Sequence, residues 1–318
     1  MLKQALAARS KGDYSQATFK LFEQAWQELQ SLKSYAAFLG FQRDTGQILS
    51  HNQYKYLVNH FLQKKKQPKW FEVALKLQLQ NLCAEYEYQN NVSESCQLIK
   101  GIKAPGIIPF PRQKKAITLL RKEQDKWREQ WFEDLNIKAK HGIAVVGNSA
   151  GLAGQNKGNQ IDSHGAVIRF NQPVKGFGSH LHFGSKTHTR VIAPGYRGPI
   201  PPCDWLVISG PDMQYQLQNW RHLLPVFKRG TPIITVPLKH WASLVKQLQA
   251  PPSAGLLMID FLRNDPRLKQ HIQPFGFGYY PEKQQAYHAA DVKHSPTSRH
   301  RWDMESKILN DWFPNLDC

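Results

Sequence analysis

The segment from His141 to Pro173, HGIAVVGNSAGLAGQNKGNQIDSHGAVIRFNQP, constrains this chain more than any other. It opens with four small or branched apolar residues, Ile143-Ala144-Val145-Val146, a run that reads as a short buried strand. Gly147-Asn148-Ser149 ends it. Glycine permits a tight turn and a close approach of backbone to a ligand, and Asn or Ser can cap a helix that follows. Gly151, Gly154 and Gly158 keep the next segment open, and a second strand, Ala166-Val167-Ile168-Arg169-Phe170, stops at Asn171. A strand running into a Gly-rich turn is where open α/β sheets bind nucleotides, at the carboxyl ends of strands. The spacing is neither GxGxxG nor the P-loop pattern, which needs GK[ST]. An ordinary Gly-rich strand-to-helix turn is the competing reading.

The rest of the second half continues the alternation. Thr189–Ile192, Trp205–Ser209, Ile233–Val236 and Ile272–Phe277 read as further strands, and Ala254–Arg263 as a helix. Short turns between such elements imply a mostly parallel sheet with helices on both faces. Residues 1–100 read differently, as an N-terminal helical domain. Lys3–Ser10 and Tyr14–Leu32 are joined by Lys-Gly-Asp, and Leu21, Phe22, Ala25, Leu29 and Leu32 recur at helical spacing. Ala7, Gly12, Tyr14 and Ala17 give it a repeat-like look of the tetratricopeptide kind, with no second copy. Gln53–Lys64 and Trp70–Tyr88 are further helices, with Lys64-Lys65-Lys66 as a solvated end. Gly101 to Pro111 cannot continue a helix and marks the boundary. Residues 101–139 are then a linker and a basic helix, Arg112–Leu135, and residues 140–318 the α/β domain. Basic residues with Trp127 and Trp131 would suit a helix lying on an anionic membrane. The interspersed Glu123, Asp125, Glu129, Glu133 and Asp134 favour a helix packed on the α/β domain.

Length and charge narrow the partners. A chain of 318 residues suits two domains, or one domain with a large extension, and its 41% apolar residues can fill packed cores. The net charge of +18 is spread over both halves, so it marks no single nucleic-acid tail. It suits anionic partners such as nucleotide-sugars, acidic glycolipids or an inner membrane face. The start has no signal-peptide core, and no apolar run of about 18 residues predicts a transmembrane helix. Cys83, Cys96, Cys203 and Cys318 have no metal spacing, and so few favour a reducing cytosol.

The motifs resemble those of the eukaryotic-type sialyltransferases, glycosyltransferase family 29. VVGNSAGL followed by IDSHGAVIRFN resembles the large sialylmotif, and Phe183-Gly-Ser-Lys-Thr187 the V-G-x-K-T segment. Pro252-Ser253-Ala254-Gly255, with Phe275-Gly276-Phe277-Gly278 behind it, is similar to the small sialylmotif. His300-Arg-Trp-Asp-Met-Glu305 fits the H-x4-E very-small motif. Four matches in order, over about residues 140 to 315, are specific. The resemblance implies a GT-A-like or Rossmann-like α/β fold. It implies an inverting, metal-independent transferase that moves a 2-keto acid sugar from CMP. CMP-sialic acid is the first-choice donor and CMP-Kdo the second; no cofactor beyond the donor is implied. The motif cysteines are absent: Ile143 stands where the large motif has Cys, and none follows Gly255. The disulfide between those motifs therefore cannot form. With no membrane anchor, this suggests a bacterial cytoplasmic member, peripheral on the inner membrane, acting in lipopolysaccharide biosynthesis on a glycan or lipooligosaccharide.

The residues carry their own chemistry. Asn148, Ser149 and Asn171, at strand ends, can bond a ribose, base or phosphate without added charge; in the resemblance Asn148 and Asn171 contact the nucleotide. Turn stabilisation is the plainer role for such Asn. Ser253, Ala254 and Gly255, before an apolar helix, offer a capping hydroxyl and free amides to a nucleotide or phosphate. The resemblance makes His300 the general base, with Glu305 its support. A five-residue offset would put the two about 140° apart on a helix. His288, in Tyr287-His288-Ala-Ala-Asp291, is similar to the H-Y-Y-[ED] motif whose His meets the leaving phosphate. Ala289 and Ala290 replace its tyrosines, and His294 competes for the role. No D-x-D follows an apolar strand, so no metal ligand is expected. Gly195–Asp212 and Gln214–Trp220 are the loops expected to read sugars. Two other classes compete: a non-catalytic helical adaptor with a degenerate nucleotide-sugar-binding fold, and a basic RNA-binding protein. The second lacks any RNA module, so no nucleic acid is expected.

Overall fold

The computed structural model describes residues 1–63, 75, 78–79, 82–83, 86, 90, 111–171, 179–196, 198–210, 220–277 and 299–314. The chain opens with helices α1 (Leu2–Ser10), α2 (Gln16–Leu29), α3 (Leu32–Asp44) and α4 (His51–Gln63). Ser15 caps α2 by accepting the Thr18 N–H. The expected Tyr14–Leu32 helix ends early because Gln30 takes a left-handed conformation, φ 43°, and Ser31 with Ser34 forms a capping box that starts α3. Most of α3, from Ser34 to Phe41, is buried, so it carries little one-sided periodicity to reveal it. Within the expected Trp70–Tyr88 helix the described residues 75, 78–79, 82–83 and 86 are helical. Lys64-Lys65-Lys66 and residues 101–110, and with them the expected domain boundary, lie outside the described residues.

Helix α5 (Pro111–Lys138) leads into the sheet. Trp131 on it is fully buried, donates its indole N–H to Thr189 Oγ1 at 3.0 Å and stacks on Phe261. This helix packs on the α/β body, as its interspersed acids suggested.

Six strands form one wholly parallel sheet: β1 (Ile143–Val146), β2 (Ala166–Phe170), β3 (Thr189–Ile192), β4 (Trp205–Ile208), β5 (Ile233–Thr235) and β6 (Ile272–Phe275). Their order is β5-β4-β3-β2-β1-β6. β1 is buried throughout, as a parallel strand covered on both faces must be. Helices α6 (Gly158–Ser163), α7 (Ser179–Phe183), α8 (Trp220–Lys228), α9 (Leu238–Leu248) and α10 (Ala254–Arg263) join the strands, and α11 (Trp302–Trp312) follows β6. The architecture is the expected Rossmann-like α/β sheet behind N-terminal helices. The edge at β5 is covered by α5: Gln124 bonds the Ile233 carbonyl at 2.8 Å and the Thr235 N–H at 2.9 Å. Among the described residues no helix is long and apolar enough to cross a membrane.

The apolar residues divide by sheet face. Ala144, Val146, Val167 and Phe275 pack with Leu152, Ile161 and Phe183 on one side. Ile143, Val145, Ile168 and Phe170 join the larger core on the other, which extends into the N-terminal helices.

Candidate functional site

The strand order reverses beside β1. β2 to β5 run out on one side and β6 lies on the other, so the carboxyl ends of β1 and β6 form the switch point where open α/β sheets take ligands. The backbones meet there: Gly147 N–H donates to the Phe275 carbonyl at 2.8 Å. A Cβ on Gly147 would lie 2.4 Å from the Gly276 carbonyl oxygen, so only glycine fits.

A cleft of about 390 Å³ opens at this point. It is lined by Asn148, Ser149, Asn171, Ser253, Ala254, Gly255, His300 and Glu305, all eight of the described sequence-derived candidates. His288, together with His294, lies outside the described residues. Each lining group is held in a definite way. Asn148 Nδ2 donates to the Phe170 carbonyl at 3.2 Å, tying the end of β1 to the end of β2. Ser149 Oγ accepts from Gly151 N–H at 3.2 Å. Asn171 leaves β2 in a left-handed conformation, φ 46°, which Asn tolerates better than most residues. Its side-chain oxygen accepts the Ala193 N–H at 3.2 Å, and its carbonyl accepts from Arg190 at 2.9 Å. Ser253 caps α10 through the Leu256 N–H at 3.1 Å.

His300 stands before α11, not on it, so the 140° helical offset from Glu305 does not apply: α11 starts at Trp302. Both side chains reach the same cleft. His300 Nδ1 lies 2.8 Å from the Pro251 carbonyl. A carbonyl only accepts, so Nδ1 carries the proton and Nε2 of the neutral ring keeps its lone pair. Burial pushes the His300 pKa below its ordinary 6.5, the Pro251 bond opposes that shift, and the Arg299 charge adds to it. Glu305, 3% exposed, accepts the Ser253 N–H at 2.7 Å. Burial pushes its pKa up to about 7, against the lowering effect of the Ser253 bond. The carboxyl thus joins the loop before α10 to helix α11.

The loop carrying His300 is backed by the N-terminal helices. Arg299 donates to the Tyr14 hydroxyl at 2.9 Å, and that hydroxyl donates to Asp44 at 3.3 Å. Asp44 also pairs with Arg9 at 2.6 Å. Trp241, another lining residue, donates its indole N–H to the Asp44 carbonyl at 2.8 Å.

The cleft also has walls that the motifs did not indicate. Ala193 and Pro194 follow β3, and Ser209 and Gly210 follow β4. Ser209 is 3% exposed and its Oγ has no hydrogen-bond partner among the described residues. Ser209 and Gly210 fall within Gly195–Asp212, a loop expected to read sugars, and Ala193 and Pro194 stand just past a readable strand, where the strand-end rule would have found them. Trp241 and Trp302 carried no such signal. Among the described residues no group of three or more His, Cys, Asp or Glu could hold a metal ion.

The model of glycosyltransferase family 29 (sialyltransferase) matches residues 87–198. No curated protein sequence matches the chain. Two solved structures are similar. A mammalian sialyltransferase in complex with Gal-beta-1-3GalNAc-ortho-nitrophenol is 17% identical over 83% of this chain and 84% of that chain, with a TM-score of 0.39. A second mammalian sialyltransferase structure is 18% identical over 83% of each chain, with a TM-score of 0.40.

Proposed function

We propose that this chain, whose residues 87–198 match the model of glycosyltransferase family 29 (sialyltransferase), is a member of that family and an inverting transferase that moves a 2-keto acid sugar from CMP to a hydroxyl of a glycan or glycolipid. The observation that carries the reading is the convergence of Asn148, Asn171, Ser253 and His300 on one cleft at the sheet's switch point. The Asn and Ser groups hold the nucleotide and its phosphate. His300 Nε2 takes the proton of the acceptor hydroxyl as its oxygen attacks C2 of the donor sugar. The C2–O bond to phosphate breaks on the opposite side, and CMP leaves with the electron pair. The α10 N-terminus at Ala254–Gly255 offers backbone amides to that leaving charge, and His288 supplies a further donor. Glu305 is a positioning residue, held through Ser253 N–H. No step calls on a metal or a cofactor.

Sialic acid is the first choice of sugar and Kdo the second. The acceptor is a lipid-linked surface oligosaccharide such as lipooligosaccharide, met by a cytoplasmic, peripheral protein at the inner membrane face. The net charge of +18 supports attraction to such a surface. The test is CMP release from CMP-Neu5Ac and CMP-Kdo, with and without lipooligosaccharide and with and without a chelator. Chelator-insensitive release that rises with acceptor is expected for one donor. Release from neither donor would remove the reading and leave the helical adaptor in its place.

A further inference from the structure

A second cavity, of about 440 Å³, opens at the same carboxyl edge but on the other face of the sheet. It shares Gly147 and Asn148 with the cleft. Strand parity fixes the face. Side chains alternate along a strand, so Arg169 shares the side of Val167, opposite to Ile168 and Phe170. Arg169 and Arg190 are register partners on β2 and β3 and therefore stand side by side. Both line this cavity, with Ser179, His180, Ser185 and Thr187 around them.

The charge balance here is incomplete. Arg169 is 7% and Arg190 2% exposed. Arg169 donates Nε to the Lys186 carbonyl at 2.8 Å and has one carboxylate, Asp162, at 3.5 Å. Asp162 already accepts from Ser185 and Lys186 N–H groups. Arg190 bonds the Asn171 carbonyl at 2.9 Å and Thr187 Oγ1 at 3.5 Å, and pairs with no carboxylate among the described residues. Among the described residues Arg190 Nε has no hydrogen-bond partner, and Arg169 Nη2 has none beyond its 3.5 Å ion-pair contact with Asp162. Burial and the Arg190 charge together push the Arg169 pKa down to about 10, only partly offset by Asp162. Among the described residues, two buried guanidiniums face one carboxylate, held by Arg169 alone, and this leaves a positive charge out of water, which is costly unless an anion compensates it. Guanidiniums with nearby hydroxyls suit an oxyanion.

We infer that the Arg169–Arg190 cavity is an oxyanion subsite for a carboxylate or phosphate carried by the saccharide being extended. This rests on the transferase reading for the word "extended", but the anion site itself does not. Its place explains the source. The neutral amides of the α10 N-terminus lie on the first face, beside the base, whereas the arginines lie beyond Asn148 on the second. A sugar chain crossing the edge at Asn148 would present a charged substituent to them. Arg190 also holds Asn171, so an anion there would steady the wall of the cleft.

The test is calorimetry on the full chain with galactose, galactose 6-phosphate, galacturonate and inorganic phosphate, each with and without CMP. The acidic sugars should bind roughly tenfold or more tightly than galactose. Arg190→Gln and Arg169→Gln should each reduce that preference to under about threefold, and Arg190→Lys, which keeps the charge, should retain part of it. Equal binding of neutral and acidic sugars, or an undiminished preference in folded Arg190→Gln, would overturn the site. Inorganic phosphate binding as tightly as galactose 6-phosphate would overturn the sugar-borne source. CMP binding is read in the same titrations: its absence would sink the transferase reading while leaving the acid-over-neutral preference as a separate result.

Discussion

The two walls of the cleft are built by different means. One wall is the ends of β1 and β2, where Asn148 and Asn171 stand; sheet hydrogen bonds and two side-chain bonds to backbone hold it. The other is the Pro251–Ser253 loop and the Arg299–Arg301 segment that runs into α11, held by the buried Glu305 carboxyl on α11 and by helices from the far end of the chain. The family match at residues 87–198 contains the first wall and not the second. The first wall is preorganised by regular structure; the second depends on contacts between residues 285 apart in sequence. Substitutions in the first should weaken nucleotide binding with little effect beyond it. Those in the second should act on the proton transfer and on pH dependence.

His300→Ala is the largest expected break in this contrast. Loss of a general base should lower the transfer rate about 10²- to 10⁴-fold, with CMP affinity little changed. In the wild-type protein the His300 pKa is depressed, so the acid limb of the rate profile should lie below pH 6.5, the ordinary value. A near-normal transfer rate for His300→Ala in a kinetic assay would remove His300 from the reaction.

The two walls also differ in how far the sequence revealed them. The first was legible because short apolar runs, a Gly-Asn-Ser break and a terminal Asn are local signals. β1, β2 and β3 have the expected limits, and β4, β5 and β6 end one or two residues early. The second was legible only through motif resemblance. Nothing in the local pattern ties Tyr14 to Arg299, or Asp44 to Trp241. Glu305 was readable as a motif residue, but its near-complete burial comes from tertiary packing. The Arg169–Arg190 pairing needed the register of β2 and β3, which no single sequence run contains.

Glu305 gives the next largest effect. Its folded pKa, about 7, is raised above the ordinary 4.5 by burial. A carboxyl with a raised folded pKa favours the folded state most at low pH, and that contribution is lost as pH rises from about 4.5 through about 7. The total is about 3 kcal/mol, because each tenfold change in proton affinity is worth about 1.4 kcal/mol. Glu305→Gln should therefore flatten this part of the stability profile, seen as a gain over wild type that grows toward pH 8 in urea melts. Parallel profiles for the two proteins would show that Glu305 is ionised in the fold.

On the strand wall, Asn148→Ala should weaken CMP binding by about 0.5–1.5 kcal/mol, the net worth of one polar contact. Asn171→Ala should lose a similar amount, with an added stability cost because alanine tolerates φ 46° poorly. Calorimetry that finds CMP affinity unchanged in both would move the nucleotide away from the strand ends.

Tyr14→Phe should have the smallest effect and sharpens the comparison most. The Tyr14 hydroxyl lies between Arg299, the neighbour of His300, and Asp44 on α3. Asp44 keeps its ion pair with Arg9 when the hydroxyl is removed, so the N-terminal helices should stay folded. Arg299 loses one hydrogen bond from its charged guanidinium to a neutral hydroxyl and keeps its charge. If that bond positions the His300 loop, the transfer kcat should fall by up to about fivefold. The donor KM should hold, because the strand wall is untouched. The acid limb of the pH profile should also move, since the Arg299 charge contributes to the His300 shift. A purely structural role would lower the melting temperature and leave both kcat and the pH profile alone. That result would mean the loop holds His300 without help from the N-terminal helices, and the second wall would then be as self-contained as the first.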